Sequence, residues 1–178
     1  MARINPLSPE ETPVPLQAAY SLHTTTWNAC ITNMKATLGH SQTAFEVYME
    51  WYRLYDRIKR FLGLRPAYLF AYTVSVGSNC PLCTTFFRKI IIDHGEDPAH
   101  IVFSEKEQLL MDFGSAIAQH QGRVNEALFA AISAVYNTEE LVELIAFAGQ
   151  MIATNIFNNV IETDIDEYLF NYLPLTQK

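Results

Sequence analysis

Little in this chain points to a fixed covalent or metal framework. It carries three cysteines in 178 residues, Cys30, Cys80 and Cys83, too few for the disulfide scaffold of a small secreted domain. A zinc site built on Cys80 and Cys83 would need two further ligands. No second Cys-x-x-Cys exists, and His23, His40, His100 or His120 would have to converge from distant parts of the chain, so neither metal nor cofactor is expected. Charge is also sparse: 17% of residues are charged and the net charge is −7. Without a basic stripe to displace counterions from phosphate, nucleic-acid binding is not expected. No run of about 18 uninterrupted apolar residues is present, so no membrane span is expected. The first residues lack the charged-then-apolar pattern of a secretory signal, which predicts a cytoplasmic protein with reduced thiols. No Gly-rich phosphate loop or Ser-His-Asp signature occurs. No segment alternates apolar and polar residues as a half-buried strand would, and there is no internal repeat. These absences leave an all-α, single-domain helical bundle.

What is present fits that class. Hydrophobic residues make up 49% of the chain, enough for a packed core. Residues 1–15 hold Pro6, Pro9, Pro13 and Pro15, which predicts an extended arm ahead of a helical domain over 16–178. Ala44, Val47, Tyr48, Trp51, Leu54, Tyr55, Ile58 and Leu62 recur every three or four positions, one face of a helix closed by Gly63 and Pro66. Ala67 to Val76 is apolar throughout and reads as a buried helix. Pro81 suits a first helical position, making Cys80 the N-cap of a helix that ends at Gly95, with Pro98 beyond. Ser104 and Glu107 form a capping box ahead of Leu109 to Gln119. Further helices are expected over 124–136 and, capped by Asn137 or Thr138, from Glu139 to about Asn158, then a short turn from Thr163.

The cysteine pair carries the chemistry. Two thiols three positions apart can close a small disulfide ring, and a helix N-terminus favours thiolate through its free N–H groups and its dipole. Cys80, at the cap, should feel this most. Buried thiols also serve simply as small apolar residues, which is the reading for Cys30 beside Trp27. Tyr48, Trp51, Tyr52 and Tyr55 suit either a pocket wall or the core. Asn155, Asn158 and Asn159 could cap a neighbour or line a cavity. Asp56, Arg57 and Lys59 read as a solvated helix face.

The stretch from Tyr72 through Cys80-Pro81-Leu82-Cys83 and its helix to Gly95 resembles the alkylhydroperoxidase D and carboxymuconolactone decarboxylase family. So do the segments from Phe103 to Leu110, Glu139 to Ile145, Asn155 to Asn159 and Asp164 to Leu169. The resemblance covers about residues 40–170, and the cysteine pair is its specific part. It implies an alkylhydroperoxidase D-like helical fold that forms homo-oligomers. It also implies catalytic roles: Cys83 attacks a hydroperoxide and becomes a sulfenic acid, and Cys80 resolves it as a disulfide. The dipole favours Cys80 instead, so the two readings conflict. The peroxidase members' relay is absent: their histidine four residues after the second cysteine is Phe87 here, their upstream glutamate is Tyr68, and the histidine within their motif is Leu82. His94 lies eleven positions after Cys83, too far along a helix to replace it, and reads as a helix-end residue. Tyr68 is a poor base at neutral pH. Arg88 could lower a thiol pKa or lie in solvent.

The expected function is therefore a thiol-dependent hydroperoxide reductase or disulfide oxidoreductase. Its partners would be an organic hydroperoxide or small disulfide and a dithiol reductant. Two alternatives stand beside it: a redox-sensing or non-catalytic member that binds a partner or ligand, and a cofactor-free lactone decarboxylase or isomerase.

Overall fold

The computed structural model describes residues 1–174. Among the described residues the chain is all-α, nine helices and a closing 3-10 turn with no strand, as the missing alternation predicts. Residues 175–178 of the expected domain lie outside the described residues.

The first helix, α1 (Val14–Trp27), begins two residues before the expected start of the helical domain at residue 16, because Pro15 sits in its first turn, where no N–H is needed. The arm is laid on its own chain. The Arg3 N–H donates to Ile161 O at 2.7 Å and the Ala2 N–H to an Asp164 carboxylate oxygen at 3.1 Å. Short α2 (Asn33–Leu38) follows, with Thr32 as its N-cap. The single helix expected around residues 44–62 is two, α3 (Gln42–Met49) and α4 (Trp51–Leu62), joined at Glu50. No glycine or proline marks this break. Phe45 and Met49 of α3 join a small cluster with Leu16 and Leu38, on which Tyr52 of α4 also packs, whereas Ile58 of α4 enters the main core.

Gly63, at φ 86°, ends α4, and Pro66 falls in the first turn of α5 (Leu64–Gly77) instead of following a helix end. α6 (Pro81–Asp93) starts with Cys80 as N-cap and Pro81 in its first turn, as the sequence predicts, and left-handed Gly95 (φ 82°) follows it. The Ser104–Glu107 capping box opens α7 (Glu105–Gln119). α8 (Glu126–Ser133) is shorter than expected at both ends. α9 (Thr138–Ile161) is capped by Asn137 and runs three residues further than expected, stopping where Glu162 turns left-handed. The closing 3-10 turn spans Glu167–Tyr172.

The main core forms around α5, whose Ala67, Tyr68, Leu69, Phe70, Ala71 and Val74 are all buried and which packs on α4, α6, α7 and α9. α9 is by length and composition long and apolar enough to cross a membrane. In this fold it turns Leu144, Phe147, Ala148 and Met151 into the protein core and buries Asn155 and Asn158. Arg57 of α4 pairs with Glu139 and Glu143 of α9, so the face read as simply solvated is a link between helices.

α5 and α7 approach closely at Gly114. A Cβ there would lie 2.7 Å from Cε2 of buried Phe70. Gly114→Ala should destabilise the protein by about 1–3 kcal/mol through overpacking, read as a lower denaturation midpoint with unchanged slope. His23 supplies a second test. It is 4% exposed, neither ring nitrogen has a partner among the described residues, and it lies edge-on to Phe45 and Tyr52. Burial, assisted by nearby Lys35, lowers its pKa from 6.5 to about 4. Between those values the unfolded chain holds the extra proton, so stability falls as pH drops through 6.5 and levels off below about 4. His23→Leu should flatten that part of a stability-versus-pH curve.

Candidate functional site

The turn between α5 and α6 sets the site. Ser78 N–H closes α5 onto Val74 O, Asn79 takes a left-handed conformation (φ 50°), and Cys80 then caps α6. Its sulfur accepts the backbone N–H of Cys83 at 3.3 Å. Pro81 needs no N–H partner at that position. The four-residue frame Cys80-Pro81-Leu82-Cys83 therefore builds the helix start and brings both thiols to it. Cys80 is 1% exposed and Cys83 7% exposed, and both are free thiols.

Cys83 borders a cavity of about 100 Å³ and Cys80 does not. Six parts of the chain supply the wall. α6 gives Leu82, Cys83, Phe86 and Phe87; α3 and α4 give Tyr48, Met49, Trp51 and Tyr52. α9 gives Met151, Thr154 and Asn158; the α2 region gives Thr32, Met34 and Lys35; the closing turn and its approach give Asp166, Tyr168 and Leu169. Three of the four aromatic residues singled out from the sequence thus reach a pocket. The fourth, Tyr55, stacks on Trp51 at 4.8 Å from behind.

Electrostatics separates the two thiols. Cys80 is held below the ordinary thiol range, chiefly by a hydrogen bond from the Cys83 thiol and further by backbone N–H groups, against the opposing effect of burial. Cys83 is pushed well above that range by donating to Cys80 and by burial. The first negative charge of the pair therefore rests on Cys80, as the dipole argument expects, while the sulfur that meets the cavity is Cys83.

No relay residue stands near Cys83 on its own helix. Phe87 and Leu82 are apolar parts of the cavity wall. The Tyr68 hydroxyl donates to Glu96 at 2.8 Å, which Arg65 also engages, and burial pushes its pKa up to about 12. His94 closes α6 with Nδ1 2.7 Å from Ile90 O, the helix-end role expected of it. Arg88 donates to Tyr172 O at 3.0 Å and holds the closing turn. Cys30 is exposed in the loop after α1, not in the core as expected, because α1 ends at Trp27 with Asn28 left-handed and the chain then runs over the surface.

One donor does reach Cys83, and it comes from α9. Asn158 Nδ2 donates to Cys83 Sγ at 3.2 Å. Its neighbour Asn159 donates to Ser78 O, tying α9 to the turn that carries the cysteines. Asn155, one turn earlier, is fully buried with neither amide atom paired among the described residues. The sequence pointed to these asparagines without assigning them. Lys35 and Asp166 it did not reveal: the only trace of Lys35 is a lone lysine among Met34, Ala36 and Leu38. Its Nζ is buried and donates to Cys30 O at 2.6 Å and to the Tyr52 hydroxyl at 3.0 Å, and burial draws its pKa down to about 8. Among the described residues no cluster of three or more metal-ligating side chains occurs.

No family model matches the chain, and no curated protein sequence matches it. Two solved structures are similar over nearly their whole length. One is a cysteine-to-alanine variant of the debrominase Bmp8 in complex with 2,3,4-tribromopyrrole; the other is Bmp8 without ligand. Each superposes with a TM-score of 0.74 at 14% identity, over 95% of this chain. The match covers 94% of the liganded Bmp8 chain and 95% of the ligand-free one. At that identity the likeness establishes the fold alone.

The division between the thiols is open to test in a Cys30→Ser background. Ultraviolet titration should show two separated thiolate steps, since strongly coupled groups titrate as a pair. Cys80→Ser should abolish the lower step. Cys83→Ser should keep one step but move it upward, because the donor thiol is gone. A low step that survives Cys80→Ser would assign the activated sulfur to Cys83.

Proposed function

We propose that the protein is a dithiol oxidoreductase in which Cys83 attacks a small, largely apolar electrophile held in the cavity and Cys80 closes the resulting disulfide. The observation that carries this reading is the arrangement of the two sulfurs: one faces an aromatic-lined cavity, and the other lies behind it, hydrogen-bonded and favoured as thiolate. Cys80 can then serve as the base that the missing relay would have supplied. As Cys83 attacks, its proton passes to Cys80, and Asn158 Nδ2 stays on the sulfur that gains the charge.

With an organic hydroperoxide the steps balance. Cys83 sulfur bonds to the terminal oxygen as the O–O bond breaks, and the leaving alkoxide takes the proton held by Cys80. Cys83 is now a sulfenic acid, and the Cys80 thiolate displaces hydroxide from it. The net change is one singly ionised dithiol and one hydroperoxide giving a disulfide, an alcohol and hydroxide. An external dithiol reopens the disulfide by exchange.

A second reading is favoured by the wall of Tyr48, Trp51, Tyr52, Phe86 and Phe87, which suits a flat ring more than a peroxide. Bmp8, of similar fold, is a debrominase whose variant binds a brominated pyrrole. The same dithiol could reduce a bromoarene: the ring gains hydrogen, bromide and a proton leave, and the two thiols become a disulfide. Both readings use the same two sulfurs. Lactone chemistry finds less support, since the cavity wall carries neither histidine nor glutamate. Self-association, which the family resemblance implies, is supported by exposed Val142, Ile145, Ile156 and Val160 along α9.

Free-thiol counting by mass tagging tests the proposal. A stoichiometric pulse of organic hydroperoxide, or in parallel of a bromopyrrole, on the reduced protein should remove two of three thiols within minutes. Cys83→Ser should block that loss. Asn158→Leu should slow it about tenfold, the scale of one hydrogen bond to a charged group. Three thiols still free after an hour with either electrophile would refute the reading.

A further inference from the structure

Lys35 is the buried charge that the thiol chemistry leaves unused. It is 4% exposed, sits on the wall of the Cys83 cavity, and has only neutral partners, Cys30 O and the Tyr52 hydroxyl, among the described residues. A buried ammonium is costly unless an opposite charge answers it. Asp166 also borders the cavity but is turned to the start of α2, where it accepts the Asn33 N–H at 2.8 Å; it lies beyond ion-pair distance of Lys35 and offsets its charge only in part, through space. The ammonium has three donors, and two are engaged. Tyr52 accepts from Lys35, which leaves its own O–H proton free to donate. Two donors on adjacent wall residues therefore have spare capacity, in a cavity whose remaining wall is mainly aromatic and apolar.

We infer that Lys35 and Tyr52 form an anion-binding pair, which holds the ionised hydroxyl or ring nitrogen of a small aromatic ligand in the cavity that Cys83 borders. The class is an acidic phenol or N–H heteroaromatic, bound as its anion. The aromatic wall packs the ring, and the donor pair selects rings carrying an ionisable group from plain arenes. This ligand class belongs to the site proposed above and rests on that reading only for the chemistry after binding, since a non-reacting ligand would be held in the same way.

The test uses a Cys80→Ser, Cys83→Ser protein, in which no thiol reaction can occur at the site. The probes are 4-nitrophenol, whose phenolate absorbs in the visible, and nitrobenzene, which has no hydroxyl. Binding of 4-nitrophenol below its own pKa should raise the phenolate band, and nitrobenzene should bind at least about tenfold more weakly, the scale of a charge-assisted hydrogen bond. Lys35→Met should remove the preference. Tyr52→Phe, which keeps the cation and nearly the same shape, should reduce it and guards against a folding defect in the lysine variant. Equal affinity for the two probes, a phenolate preference unchanged in both variants, or no binding of either probe would overturn the inference. If phenolate binds here while the wild-type dithiol stays reduced under both electrophiles, the thiol reading fails and the anion site stands. The reverse result separates them equally well.

Discussion

The hydrogen bond from the Cys83 backbone N–H to Cys80 sulfur is the contact on which the site depends. A helix start leaves N–H groups without partners, and an N-cap side chain normally answers one of them with oxygen. Here sulfur does so. The cap is thus itself a thiol, and the helix-start geometry that orders α6 is the geometry that holds two thiols together. Pro81 fits because the first helical position asks for no donor, and left-handed Asn79 fits because the chain must reverse sharply after α5. Disulfide formation ties the capping sulfur to the residue whose N–H it caps, so redox state and the first turn of α6 are physically linked.

This local frame was legible in the sequence because every part of it is written within a few residues: cap, proline, second cysteine, closing glycine. The Ser104–Glu107 and Asn137 caps were legible for the same reason. The break at Glu50 was not, because no glycine or proline marks it and the apolar spacing runs through it without interruption. The ends of α8 and α9 also moved, since helix termini depend on what the last turn packs against. Cys30 was misplaced because an apolar neighbour, Trp27, says nothing about where a loop runs once its helix has ended.

The cavity shows the same limit more sharply. The pocket role of Tyr48, Trp51 and Tyr52 was visible only as one of two options, because helical spacing gives a face and not its partner. Lys35 was invisible: its burial depends on a carbonyl five residues earlier and a phenol seventeen residues later. Asn158 meets Cys83 across 75 residues. Contacts of this kind are set by helix packing and leave no short-range signature.

Asn158 also explains how a thiol pair can keep a polar partner when Phe87 and Leu82 are apolar. A histidine on α6 would move protons. An amide from α9 cannot, but it can hold a sulfur and stabilise its charge through one donor. In the proposed reaction the proton has to move between the sulfurs themselves, from Cys83 to Cys80; the opposite displacements of their acidities make that transfer uphill in the resting pair, so it is driven only as the Cys83 sulfur bonds to the electrophile. In the proposed reaction such a site takes an electrophile that fits the cavity and gives little to water, because its base is buried behind its nucleophile. Burial of Cys80, which would be a defect in a nucleophile, is an advantage in a base that must serve one sulfur only.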